Sequence, residues 1–217
     1  MSVLSREAIQ SRLNKPISDP QSLVLTPFLG TKDDVFDLDA IDLRLGSHFL
    51  LPQIPAEAFA DPTVEYGLSH VEIHKPLGSY IVLPAHQTVL GATLEFIKLP
   101  YDLSGQILTK SSVARMFVVI ETAPWIHPLY RGCLTLEIAN VSNTPLILYP
   151  GLPIGQLILL ETEREFTTEE PLQATYVGPT RPEPPPFKPP KDSLSRIGIQ
   201  KYKSPHSPDW QSTLGST

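Results

Sequence analysis

The sequence predicts a mainly β protein, an antiparallel sandwich or barrel-like fold with one short helix near its N-terminus. Three observations predict it. Runs rich in Ile, Leu, Val and Thr recur along the chain, separated by Pro and Gly. The run "CLTLEIAN" alternates cleanly, with Leu134, Leu136 and Ile138 on one side and Cys133, Thr135, Glu137 and Ala139 on the other. Only one stretch has helical spacing: Leu4, Ala8, Ile9 and Leu13.

In chain order, that helix is expected to stop at "NKPISDP", where two prolines and an Asp-Pro step break helical geometry. Strands are expected in "SYIVLP", "TVLGATLEFIKLP", "GQILTK", "FVVIET", "GCLTLEIAN", "PLILYP" and "IGQLILLE". "SSVAR", between the third and fourth, is expected to form a single helical turn. After Tyr176 the composition changes: residues 177–217 hold nine of the 24 prolines. "RPEPPPFKPP" favours extended polyproline conformation and cannot join a central strand. The expected organisation is one domain over 1–176 and a proline-rich tail, mobile or draped on a partner, over 177–217.

The whole chain bounds the function. A core of about 160–175 residues buries roughly 70% of its unfolded surface and needs no metal or disulfide staple. A net charge of −6 argues against binding polymeric nucleic acid, but a few local cations suffice for a nucleotide. One cysteine, Cys133, excludes an intrachain disulfide and reads as a small buried hydrophobe. No run approaches the roughly 18 apolar residues of a membrane span, and "MSVLSREAIQ" lacks the apolar stretch of a secretory signal. A cytoplasmic protein with no membrane partner is the expectation.

Several residues carry candidate chemistry. Glu137, in an apolar strand, is either a solvated carboxylate or one buried for a purpose; burial would raise its pKa and suit it to moving protons near neutral pH. Ser111 and Ser112 offer donors, and Lys110 and Arg115 offer positive charge, beside the free N–H groups of a helical turn; a capped turn is the alternative. Gln156 opens the apolar run after Gly155 and reads as a core amide or a ligand contact. Asp42 and Arg44 share a strand face, where a structural ion pair is expected. Zinc is not expected, because one cysteine cannot supply the zinc-deaminase pattern and the six histidines form no H-E-x-x-H.

Taken in order, "AIDLRLG" (40–46), "LGATLEFIKLPYDLSGQILTKSSVAR" (90–115), "YRGCLTLEIAN" (130–140) and "LYPGLPIGQL" (148–157) resemble the dCTP deaminases of the trimeric dUTPase superfamily. The likeness runs from "LSREAIQSRL" to about Tyr176. It implies a distorted β-barrel or jelly-roll of the dUTPase-like type, a homotrimer, and active sites shared between subunits. It implies deamination of dCTP to dUTP and ammonia, supplying dUTP for thymidylate synthesis, with Mg²⁺ carried by the triphosphate and no protein-bound metal. Ser111 and Ser112 match serines that contact phosphates and the catalytic water, and Arg115 an arginine that organises the site. Glu137 matches the proton shuttle, and Gln156 a glutamine beside the phosphates. Lys110 stands where the family has arginine. Ala123 and His127 fall in the loop that meets base and sugar, and Tyr176 matches a tail tyrosine that closes over the triphosphate.

The chain also departs from that pattern. "ETAPWIHPLYRG" stands where deaminases have a sequence like T-A-H-R-I-D-P-G-W-x-G. Pro124 and Trp125 replace the His-Arg pair, His127 replaces the aspartate that activates water in dUTPases, and Leu129 replaces a glycine. Phe117 also stands where the family usually has glycine. These changes imply either altered substrate recognition or a homologue that binds nucleotide without turnover. A dUTPase or a bifunctional deaminase–diphosphatase is a further alternative.

Overall fold

The computed structural model describes residues 2–28, 35–53, 70–121, 125–163 and 178–184. The chain divides into two compact units, of which the first comprises 1–51 and 72–183. Of the second, only residues 52–53, 70–71 and 184 are described, so the following concerns the first.

Ser5 is extended, and its hydroxyl accepts from the Ala8 N–H, capping helix α1 (Arg6–Leu13). Glu7 in the first turn and Arg12 in the last complement the helix dipole. Ile9 is buried against the core, and Arg12 pairs with Asp102 at 2.7 Å, fastening the helix to the loop after the long seventh strand. The helix ends before Pro16, as the sequence predicts.

Thirteen strands follow among the described residues: β1 (Val24–Thr26), β2 (Phe36–Asp37), β3 (Ala40–Arg44), β4 (His48–Pro52), β5 (His70–His74), β6 (Ile81–Leu83), β7 (Thr88–Lys98), β8 (Leu103–Thr109), β9 (Val118–Ile120), β10 (Trp125–Ile126), β11 (Arg131–Asn140), β12 (Leu146–Leu148) and β13 (Pro153–Glu161). Each of the seven predicted runs contains a strand. A single-turn helix, α2 (Ser111–Ala114), joins β8 to β9.

One sheet runs β5-β4-β7-β11-β9, with β1 also on β7; a second runs β10-β8-β13-β3-β2; β12 and β6 form a ribbon. Leu43, Ile107 and Leu157 from the second sheet share one buried cluster with Val89, Ile97, Leu136 and Ile138 from the first. A Leu45–Thr93 bridge joins the two sheets. The protein is mainly β with a short N-terminal helix, and its two packed sheets follow sandwich logic.

In β7 the core-facing side is Val89, Gly91, Thr93, Glu95 and Ile97, not the more apolar Leu90, Leu94 and Phe96. Glu95 is 0% exposed. Its Oε1 meets Arg44 Nη1 at 3.1 Å and its Oε2 accepts from the Arg44 N–H at 2.9 Å. Desolvation raises the Glu95 pKa, and the Arg44 hydrogen bonds and charge pull it back only in part. The pairing expected between Asp42 and Arg44 is thus divided: Arg44 serves Glu95, and Asp42 bonds elsewhere.

Residues 178–183, expected at the start of a tail mobile or draped on a partner, lie on β11. Gly178 donates to Arg131 O (2.9 Å), Cys133 donates to Pro179 O (2.7 Å), and Glu183 donates to Thr135 Oγ1 (3.2 Å). Pro179 and Pro182 are buried. Gly132 makes this approach possible. Its φ is 146°, and a Cβ there would lie 2.4 Å from Pro179 Cδ. The boundary expected at Tyr176 lies outside the described residues.

Candidate functional site

Glu137 lies on the face of β11 that points away from the core, with Cys133, Thr135 and Ala139, and opposite Leu90 of β7. Its Cys133 and Ala139 neighbours are themselves buried, so the carboxylate is half-buried rather than solvated. Its Oε2 is buried without a hydrogen-bond partner among the described residues. Desolvation pushes its pKa above the usual carboxylate range; its own backbone N–H opposes this, and the negative charge of Glu121 adds to it. Glu121 is held beside it by its N–H, which donates to Glu137 O at 2.8 Å. An apolar strand with one unsatisfied carboxylate oxygen can accept a proton from water and return it.

Ser111 and Ser112 open α2, Arg115 caps its C-terminal end, and all three are exposed. No side-chain hydrogen bond or ion pair engages them among the described residues. Among the described residues no hydrogen bond joins these three to Glu137, although β9 alone separates α2 from Glu121.

Lys110 and Gln156 converge, but on carboxylates. Lys110 Nζ lies 2.5 Å from Asp42 Oδ2 and 3.4 Å from Asp37 Oδ2. Gln156 Nε2 donates to Asp37 Oδ2 at 2.9 Å and to Asp42 Oδ1 at 3.3 Å. Strand register places them: Gln156 of β13 stands opposite Asp42 of β3 on one side and Leu108 of β8 on the other. Burial works to lower the Lys110 pKa, and the bonds and charges of Asp42 and then Asp37 more than reverse it. Sequence reasoning flagged Asp42 but missed Asp37; "DVFDLDAID" contains too many carboxylates for spacing to single it out.

His127 is exposed just beyond β10. Ala123, Pro124 and Tyr176 lie outside the described residues. Phe117 and Leu129, which stand where the resembled family has glycine, have φ of 61° and 66°. Both retain the left-handed backbone that glycine adopts freely, at about 1–2 kcal/mol each. Phe117 is 62% exposed, so core burial does not explain its ring. Among the described residues no three His, Cys, Asp or Glu side chains are grouped to hold a metal ion. No described helix is long and apolar enough to cross a membrane.

Comparison with known proteins identifies the family. A family model described as dCTP deaminase-like matches residues 3–162. A protein of Methanoculleus marisnigri named "dCTP deaminase, dUMP-forming" is 39% identical over 127 residues, 58% of this chain and 67% of its own. A protein of the same name from Dictyoglomus thermophilum is 33% identical over 144 residues, 65% of this chain and 68% of its own. The crystal structure of 2′-deoxycytidine 5′-triphosphate deaminase from Agrobacterium tumefaciens superposes with a TM-score of 0.52 at 22% identity. That superposition covers 72% of this chain and about half of the other, 47%, and shows the shared dUTPase-like fold. The chain belongs to the dCTP deaminase-like family.

Proposed function

We propose that the protein deaminates dCTP by hydrolysis, dCTP + H₂O → dUTP + NH₃, with Glu137 as the group that moves the protons. The observation that carries this reading is the half-buried Glu137 carboxylate, whose Oε2 has no partner among the described residues and whose pKa is raised by desolvation. A carboxylate so placed takes a proton from water as the oxygen attacks C4. It then delivers a proton to the departing ammonia. This route needs no zinc. Ser111 orients the water, Arg115 organises the site, and Ser112 and Lys110 face the phosphates with Gln156. Ala123, His127 and Tyr176 are assigned to the base, sugar and triphosphate.

A shared site in a homotrimer is supported by Ser111, Ser112 and Arg115, which are exposed and carry no side-chain hydrogen bond among the described residues. We assign these three to the site of a neighbouring copy. Mg²⁺ enters with the triphosphate, whose oxygens hold it, and supplies charge neutralisation. The described residues offer no ligand cluster of their own.

A second reading extends the reaction: dUTP + H₂O → dUMP + pyrophosphate. The relatives named dUMP-forming favour it, and the product dUTP expected from sequence becomes an intermediate. His127, standing where dUTPases carry the water-activating aspartate, opposes it. Incubating the protein with dCTP, CTP or dUTP and Mg²⁺, and resolving ammonia, dUTP, dUMP and pyrophosphate, tests both. Ammonia with dUTP supports the deaminase, and ammonia with dUMP and pyrophosphate supports the extension. Tight dCTP binding with no product defeats the catalytic reading in favour of a regulatory nucleotide-binding homologue.

A further inference from the structure

Lys110 and Gln156, assigned above to the phosphates, already hold two carboxylates. Asp42 is a fixed partner: it is 8% exposed, lies in the middle of β3, and is hydrogen-bonded by both side chains. Asp37 differs. Its side chain is 54% exposed, and it ends the two-residue strand β2, which pairs only with β3 at the edge of its sheet. Leu38 beside it turns the chain with a φ of 55° and is 80% exposed. Lys110 therefore brings one positive charge to a place where Asp37 and Asp42 bring two negative ones. A triphosphate docking on Lys110 and Gln156 meets a net negative charge as long as Asp37 stays.

Resting on the nucleotide reading above, we propose that Asp37 is a built-in competitor for the phosphate subsite: it occupies Lys110 and Gln156 in the free protein and yields them to polyphosphate. One carboxylate oxygen, Oδ2, serves both donors, so one movement of the hairpin end releases both. Asp42 remains and keeps Lys110 oriented. The device sets a threshold: a ligand must carry enough charge to displace an exposed carboxylate. It thus favours triphosphates over nucleosides and monophosphates.

The test uses the full chain and inorganic tripolyphosphate, with and without Mg²⁺, measured calorimetrically. Asp37→Ala is expected to tighten tripolyphosphate binding about three- to tenfold, the range for losing an exposed ion pair with one added hydrogen bond. Asp37→Asn should give a smaller gain. Asp39→Asn removes the same charge from the same hairpin, where Asp39 Oδ1 accepts from the Arg6 N–H; it should leave binding unchanged. A gain of affinity cannot arise from a damaged fold, and a thermal melt of each variant checks this. Unchanged or weaker binding in Asp37→Ala overturns the proposal, as does an equal gain in Asp39→Asn or no binding in any protein. If the wild type neither binds nor acts on dCTP while Asp37→Ala still tightens tripolyphosphate, the nucleotide reading falls and the competition stands.

Discussion

Replacing Glu137 by Gln keeps the side chain's shape and removes its charge, so it separates function from stability. Turnover of dCTP is expected to disappear while nucleotide binding persists, because the proton shuttle is lost and the pocket is not. The fold should gain stability at the same time. Glu137 Oε2 is buried without a partner among the described residues; the amide still places a polar atom there but removes the charge, whose desolvation is the larger cost. Part of the side chain still meets solvent, which screens that charge and holds the gain to about 1 kcal/mol. For a chain of this size that is a rise in Tm of about 2–4 °C. The gain has a definite pH dependence. Desolvation raises the folded-state pKa, so the folded protein binds more protons than the unfolded chain between the two pKa values, and stability falls as pH rises through that window. The gain is therefore full above the folded-state pKa and absent below the unfolded value of about 4.3. Thermal melts of both proteins from pH 4 to 8, with ammonia release from dCTP at neutral pH, read all of this. A variant that is less stable at neutral pH, or a gain that does not fade in acid, refutes the desolvation argument; retained turnover refutes the role.

Gly132→Ala is expected to lift residues 178–183 from β11, because the new Cβ would overlap Pro179; losing the bonds there should cost about 1–3 kcal/mol. Hydrogen exchange at the Cys133 amide should accelerate, and adding Pro179→Ala should restore part of the protection; unchanged exchange contradicts the close-approach reading. Mixing and reassembling equal amounts of inactive Glu137→Gln and Arg115→Ala proteins should recover about a quarter of wild-type activity if each site draws these residues from different subunits. No recovery places both residues in one subunit's site.

Much of the fold was legible because its strands obey local rules. The Pro16 stop, the alternation in β11 and the Pro and Gly punctuation each act over a few residues, which is the range at which sequence speaks. β7 shows where this ends. Alternation puts Leu90, Leu94 and Phe96 together, yet the core takes the face with Glu95, because Arg44 on a strand of the other sheet supplies the partner that makes its burial tolerable. The site divides in the same way. Glu137 was legible as a carboxylate in an apolar strand, but its half-burial depends on flanking Leu90 across β7 and β11. The residues at Lys110 and Gln156 were legible too. Their engagement with Asp37 was not, since it joins positions 73 and 119 residues apart along the chain.

The two turns occupied by Phe117 and Leu129 bear on how this scaffold can be re-engineered. Each keeps its left-handed shape without glycine: Phe117 N–H donates to Ala114 O and its carbonyl accepts from Val141, while Leu129 N–H donates to Pro100 O. The path of the chain there is dictated by surrounding hydrogen bonds, not by local residue preference. The turns at Phe117 and Leu129 therefore behave as sockets of fixed geometry whose occupants can be exchanged. A glycine set into either one should seat without altering the frame, so these two positions are places where side chains can be traded between related scaffolds at little structural cost.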